Sequence, residues 1–388
     1  MPLKPSILKG MEHILGSKKV ESFVNDSEDY LILEDNSGRI RISNCSSTYM
    51  AHFSPSQYVT GIIAAIKGRL DDKGVLVMED IMFNKLMNYS LPKRIHSTIN
   101  LDNHKSTGAL YNMQNSESEI VAFVSGLQFG KTDYTGKLSL SRNFLIDFLQ
   151  GRFSTEELVF KMIKRINRLI IVGDSINSPD DTDIFEKGSF MKQDLNSRVM
   201  RVLLKNHDEF DEFLNNISHS IIVDVMPGPE DNSSSFFPQL PLHSIMLPVS
   251  SSNQSVNFVP NPYSFKIDEL MFTGTSGQNI KNIKQYSNIS DSTIDIMEKT
   301  LEWGHLSPSA PDTIRTYPVT DKDPLIIHNI PNVYFTGNSN KFETRLSFYN
   351  QIPLRLISIP QFSINPSIVL LDLSTLEVCE YSFEFLFS

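Results

Sequence analysis

Residues Ile221–Asn232 read IIVDVMPGPEDN. A strand-length run of apolar residues meets Pro227-Gly228 and then turns acidic at Glu230-Asp231. β-Branched and aliphatic residues favour the pleated strand, and Pro-Gly ends it. The same sequence grammar recurs three more times. "IVAFVSGLQFG" runs from Ile120 to Gly130, "LIIVGDSIN" from Leu169 to Asn177, and "VYFTGNSN" from Val333 to Asn340. Helical patterns separate the first three strands: "SRNFLIDFLQG", "STEELVFKMIKRINR" and a stretch around 196–217. Strand-helix-strand alternation of this kind argues an α/β core.

These loops fit, in order, the frame of the binuclear metallophosphoesterases, whose ligand blocks are D-x-H, G-D-x-x-D, G-N-H-D/E and G-H-x-H. Such enzymes hold two divalent cations about 3.5–4 Å apart, so every block is needed. Carboxylates and imidazoles make up the ligand set. Here Gly126 stands where the first Asp is required and Gln128 where its His is required. Asp174 is kept, but Asn177 replaces the second Asp. Pro229 and Glu230 replace Asn and His, and Asn338 and Asn340 replace the last two His. The frame therefore argues for the fold and against the activity. No catalytic, metal or cofactor residue is expected. A single cation held by Asp174, Asn177, Glu230 and Asn338 is the weaker reading beside a hydrogen-bonded polar remnant. An active metal-dependent phosphodiesterase or exonuclease is the rival that the ligand count opposes.

Composition narrows the class. The chain has 388 residues, 40% of them hydrophobic and 21% charged, as in an ordinary globular protein. No apolar run approaches the ~20 residues of a membrane helix. Two cysteines, Cys45 and Cys379, exclude a disulfide framework and a cysteine-ligated zinc module. A net charge of −10 opposes direct nucleic-acid binding, because affinity there comes largely from neutralising phosphates. The basic runs "KGRL", "LPKRIH" and "KMIKRINR" read as solvated helix or loop faces.

Before the α/β region, residues 5–18 read as a short amphipathic helix. Two hairpins follow. One turns at Asp35-Asn36-Ser37-Gly38 and the other at Asp71-Asp72-Lys73-Gly74. Closely spaced hairpins suggest a small β-barrel of the OB type over residues 1–90. Residues 91–118 are polar and turn-rich and read as a linker. Residues 119–388 form the α/β part, which becomes strand-rich after 232. Its strand candidates include "IMLPVS", "PLIIHNIPNVYFTGN", "LRLISIPQFSI", "SIVLLDL" and "CEYSFEF", with one helix around 289–303. The expected fold is thus α/β plus all-β: an OB-type barrel followed by a metallophosphoesterase-like β-sandwich flanked by helices. An independent single-strand-binding OB fold is disfavoured. The aromatics Phe23, Tyr30, Tyr49, Phe53, Tyr58, Phe83 and Tyr89 show no basic interleaving.

An OB domain before a degenerate phosphoesterase domain resembles the B-type accessory subunits of replicative DNA polymerases. "FTGTSGQN" and "SPSAPDT" are the most telling stretches. Together with "VDVMPGPED", "PQLPLHSIMLP", "MPLKPSIL" and "VSGLQFG", they look like the second, non-catalytic subunit of the eukaryotic delta enzyme, over nearly the whole chain. The corresponding accessory subunits of the alpha and epsilon enzymes are the alternative. In the family the segment like "MPLKPSIL" follows the first OB strand, so a barrel beginning here lacks that strand. The resemblance implies a nuclear scaffold that carries no cofactor. It implies docking to the cysteine-rich C-terminal domain of the polymerase delta catalytic subunit and to the third subunit. It implies a link to the sliding clamp only through them, DNA contact that is at most indirect, and no membrane role.

Four further features have a plain structural reading. Trp303 reads as core behind the last helix rather than an interface anchor. His305 reads as bonded to the Pro-rich turn after it rather than a leftover metal ligand. Gly274–Gln278 reads as a tight turn, since it lacks the Lys and spacing of a P-loop. The acidic loop at Asp180, Asp181 and Asp183 reads as solvated.

Overall fold

A computed structural model of the chain describes residues 22–44, 54–84, 86, 113, 117–131, 133–152, 157–177, 192–317, 321–349 and 352–383. The helix expected at 5–18, most of the linker, Cys45, the acidic loop and "LPKRIH" lie outside the described residues.

The N-terminal unit is a four-stranded sheet. β1 (Leu31–Asp35) and β2 (Gly38–Asn44) form the first hairpin, and β3 (Ala64–Leu70) and β4 (Leu76–Phe83) the second. Both expected turns are where the Asp and Gly signals put them. Asp35 Oδ1 accepts from the N–H of Ser37 (2.7 Å) and of Gly38 (3.0 Å). Asp71 Oδ1 does the same for Lys73 and Val75. Strand order is β1-β2-β4-β3, with β2 and β4 parallel. One basic-aromatic pair that the sequence reading missed occurs here: the Arg41 guanidinium lies 4.4 Å from the Tyr30 ring.

The larger unit is two sheets packed face to face. One has six strands in the order β15-β14-β5-β6-β7-β8. These are β5 (Ile120–Val124), β6 (Ile166–Val172), β7 (Ile222–Met226), β8 (Val256–Phe258), β14 (Ser367–Asp372) and β15 (Val378–Ser382). The other has five in the order β12-β13-β11-β10-β9. These are β9 (Tyr263–Ile267), β10 (Leu270–Thr275), β11 (Val333–Ser339), β12 (Glu343–Tyr349) and β13 (Ile352–Pro360). Alternating side chains divide each sheet. Val121, Phe123, Ile170, Val172 and Met226 meet Phe272, Val333, Phe335, Ile357 and Ile359 between the sheets. Their neighbours face outward under helices. Ala122, Val124, Leu169, Ile171 and Val223 pack under α1 (Lys137–Leu149), α2 (Glu157–Ile163) and α3 (Lys192–Ser218). Tyr334, Leu354 and Leu356 pack under α4 (Gln278–Tyr286) and α5 (Thr293–Trp303).

Several sequence expectations need correction. "STEELVFKMIKRINR" does not stay helical: α2 ends at Ile163 and β6 begins at Ile166. There Ile166 and Arg168 pair with β5, so sheet pairing overrides helix propensity. The basic run is only partly solvated: Lys161 and Lys164 are exposed, but its arginines reach buried carboxylates. Arg168 Nη1 meets the buried Asp224 at 2.7 Å, and Arg165 Nη1 lies 3.7 Å from the buried Asp372. "IMLPVS" is two 3-10 turns rather than a strand. Pro248 has no N–H to give a ladder, and the next two N–H groups bond Asp211 instead. "PLIIHNIPN" is irregular, and only Val333 onward is strand. α4 was missed because its nine residues offer only Ile280, Ile283 and Tyr286 as apolar markers in an amide-rich run.

The two units are tied together around residues 286–288 and around residues 303–308. Val59 and Leu86 join the cluster around Trp303, Leu306 and Leu325. Phe23 stacks on Tyr286 with ring centroids 5.0 Å apart, and Asn288 N–H donates to Ser56 O (2.8 Å). The regions around "FTGTSGQN" and "SPSAPDT" are also bonded, each bond using one residue of a stretch and a neighbour of the other. Asn279 Nδ2 donates to Leu306 O, and Asn282 Oδ1 accepts from Ser309 and Thr313 hydroxyls. Gly61, at φ 84, lies so close to this segment that a Cβ there would sit 1.9 Å from Pro308 O. Gly61→Val is therefore expected to loosen the N-terminal sheet without unfolding the sandwich. The check is calorimetry with limited proteolysis. One unchanged transition and an unchanged cleavage pattern would show that this contact does not join the units.

Candidate functional site

All four glycine loops leave the carboxyl ends of their strands, β5, β6, β7 and β11, at one end of the sandwich. The β10 loop, Ser276-Gly277, joins them, so the loops of both sheets converge. Backbone crowding sets the geometry. Gly126 has φ 64, and a Cβ there would lie 2.4 Å from Gln361 Cγ and 2.8 Å from Asn338 Oδ1. At Gly228 it would lie 2.2 Å from Asp174 Oδ1.

Two buried carboxylates stand at the centre. Asp174 occupies a left-handed conformation at φ 52, and its Oδ1 accepts from Glu230 N–H (3.0 Å). Asp231 accepts from Ile176 N–H (2.8 Å) through Oδ1 and from Gly228 N–H (2.7 Å) through Oδ2, so it fastens the β6 loop to the β7 loop. Burial and the nearby Asp231 charge push the Asp174 carboxyl well above the carboxylate range. Asp231 is also raised by burial, against the lowering effect of its N–H donors. Both carboxyls are therefore biased toward their protonated forms.

The other sequence-chosen positions divide into two groups. Gln128 belongs to the centre: its Nε2 donates to Glu230 Oε2 (3.3 Å) and its Oε1 accepts from Ser363 Oγ (2.8 Å). Asn338 closes the β11 side. Its N–H donates to Ser125 Oγ (2.9 Å) and its Nδ2 to Ser276 O (2.9 Å). Asn177 is held by its backbone, through Phe129 O (2.8 Å) and Asn206 Nδ2 (3.3 Å). Pro229 and Asn340 are exposed. Among the described residues no three His, Cys, Asp or Glu side chains cluster closely enough to hold a metal ion. His305 bonds Ser307 N–H (3.1 Å) and Asp323 Oδ2 (3.0 Å), the first being the turn contact the sequence favoured. Trp303 is buried in the core behind α5.

Sequence reasoning missed two residues that build this site. Asp231 was legible as the acidic last letter of the G-N-H-D/E frame. Arg142 gave no signal, being one cation on an ordinary helix. It is buried, and its guanidinium donates to Leu127 O (2.6 Å) and Gln128 O (2.6 Å) while lying 4.2 Å from the Phe129 ring. Desolvation lowers its pKa to about 10, so it remains charged at neutral pH. It clamps the first loop by its carbonyls.

Residues 121–344 match a family model described as the B-type subunit of DNA polymerases alpha and epsilon. Residues 1–81, which hold β1 to β3 and most of β4, match one described as DNA polymerase delta subunit OB-fold domain. The chain belongs to this B-type accessory family of DNA polymerases. It is 33% identical over 387 residues to a DNA polymerase delta small subunit of Arabidopsis thaliana, covering 99% of this chain and 79% of that one. The Oryza sativa subsp. japonica protein of that description is 32% identical, with 99% and 81% covered. The Saccharomyces cerevisiae protein is 30% identical, with 97% and 76% covered. Within the family, its place is among the small subunits of DNA polymerase delta. A solved archaeal phosphodiesterase aligns over 68% of this chain and 99% of its own at a TM-score of 0.33 and 11% identity, too distant to argue from.

A pH dependence follows from the raised Asp174. The fold prefers its protonated form, so this group supports stability most below its ordinary 3.8. That support is lost as pH rises from there through neutrality, because the native state holds a proton the unfolded state releases. Asp174→Asn cannot ionise and is expected to lose less stability over that range. Urea unfolding at several pH values measures the difference. A variant deficit that stays constant, or grows with pH, contradicts a raised carboxyl.

Proposed function

We propose that this chain is a non-catalytic accessory subunit of DNA polymerase delta, acting as a scaffold and not as a hydrolase. The observation that supports this best is the packing at position 126. The first ligand block of a binuclear phosphoesterase begins with a carboxylate. Here that position has no side chain and no room for one, since Gln361 and Asn338 fill the space. Two-metal cleavage requires both cations at once, so losing one block removes the nucleophile and the clamp together. The rest of the site has become a hydrogen-bonded plug, from Gln128 through Glu230 and Asp174 to Asp231.

On this reading the sandwich, residues 119–388, is an inactivated phosphoesterase-like domain. Residues 1–90 are an OB-type domain and 91–118 join the two. The reading needs neither metal nor cofactor. Its expected partners are the cysteine-rich C-terminal domain of the catalytic subunit and the third subunit, with the sliding clamp reached through them in the nucleus. Net charge of −10 suits a protein that reaches DNA through others. Among the described residues no helix is long and apolar enough to cross a membrane.

Co-purification tests the scaffold. This chain, co-expressed with the delta catalytic subunit's C-terminal domain, is expected to elute as a stoichiometric complex, and not with the alpha or epsilon equivalents. Equal binding to all three would sink the assignment. Hydrolysis of a phosphodiester by the purified chain with Mn²⁺, abolished by Asp174→Asn, would sink the non-catalytic reading.

A further inference from the structure

Residues 232–252, after the β7 loop, hold almost no regular structure, yet they are firmly built. Phe237, Gln239, Leu242, Leu247 and Ser250 are all buried. Gln239 Nε2 donates to Gly228 O (2.8 Å), and Phe237 N–H donates to Arg315 O (2.8 Å). Val249 and Ser250 N–H groups both donate to Asp211 of α3, at 2.8 Å each. Between these anchors the segment holds large apolar side chains outward: Phe236 39%, Leu240 63%, Ile245 78% and Val249 55% exposed. Tyr317, 41% exposed, extends the row by stacking on Phe236 at 4.9 Å. Single exposed hydrophobics need no explanation, but a row of them fixed on rigid backbone does. Water gains nothing from such a display. A partner does, because pre-ordered apolar side chains cost it little entropy on binding.

On its α3 side the rim of this row is acidic, while the exposed Arg315 lies at the end formed by Phe236 and Tyr317. Asp211 fixes the Val249 turn; Asp208, about one helical turn before it, Glu209 and the adjacent Glu212 are exposed. Glu230 is exposed on the adjoining loop. The nearest cation on that stretch of α3, Lys205, is paired with Glu209 at 3.4 Å. Apolar centre and charged rim are the usual anatomy of a protein interface, and complementary charge selects among partners.

We propose that Phe236, Leu240, Ile245, Val249 and Tyr317 form a docking surface for a segment of the polymerase catalytic chain carrying apolar side chains flanked by Lys or Arg. This rests on the scaffold reading above. The test uses the full catalytic subunit co-expressed with this chain. Leu240→Asp/Ile245→Asp replaces two exposed side chains, so its unfolding midpoint should stay within a few degrees of wild type. Its affinity for the catalytic subunit is expected to fall at least tenfold, whereas Phe348→Asp, exposed on the far edge strand β12, leaves affinity unchanged. Asp208→Lys/Glu212→Lys is expected to weaken binding at low salt and less at high salt. If wild type does not bind at all, the scaffold reading falls and takes this surface with it. If wild type and Leu240→Asp/Ile245→Asp bind equally, the scaffold stands and this surface is wrong. Charge reversal that leaves low-salt binding unchanged overturns the basic partner. Light scattering that finds the isolated chain dimeric, and Leu240→Asp/Ile245→Asp monomeric, gives the surface to a second copy and overturns the proposal.

Discussion

The Asp231 carboxylate organises the end of the sandwich where the loops meet. Its two oxygens hold N–H groups of Ile176 and Gly228, which belong to different strand-end loops. Once those loops are fastened, Asp174 is sealed beside Gly228 with no solvent to stabilise its charge. Burial favours the protonated form of its carboxyl, and the loops around it are joined by hydrogen bonds. The same closeness that leaves no space at position 126 makes this plug continuous with the core between the sheets. The loops that meet at this end are thereby made part of the packing.

The fold was legible where local chemistry decided it. Asp35 and Asp71 make the turns that the Asp-to-Gly signals announced, and the glycine loops mark the ends of β5, β6, β7 and β11. It was illegible where distant partners decided it. Ile166 and Arg168 look helical until β5 claims them, and Pro248 breaks a strand whose N–H groups find Asp211 instead. α4 hid because tertiary amide bonds, such as Asn279 to Leu306 O, take the place of an apolar stripe.

The site was half legible for a related reason. A motif frame reports which ligands are missing, since each position has a required residue type. It does not report what replaces them. Asp231 could be read because it matches the frame. Ser363, which donates to Gln128 Oε1, lies 235 residues away in sequence. Arg142 acts on carbonyls, and any sequence supplies those.

Arg142 also bears on how the chain meets DNA. It is one of several arginines turned inward. Arg168 pairs with buried Asp224, Arg165 lies against Asp372, and Arg355 Nε donates to Leu376 O (2.6 Å). Arginine is the residue best suited to grip phosphate, with a planar fork of donors. Here these guanidinium groups brace backbone carbonyls and buried carboxylates. They are not available to face a nucleic acid. Other arginines, among them Arg39, Arg69 and Arg315, stay at the surface, while the α3 face carries the exposed carboxylates Asp208 and Glu212. On the proposed reading, that acidic face favours a basic partner segment by complementary charge.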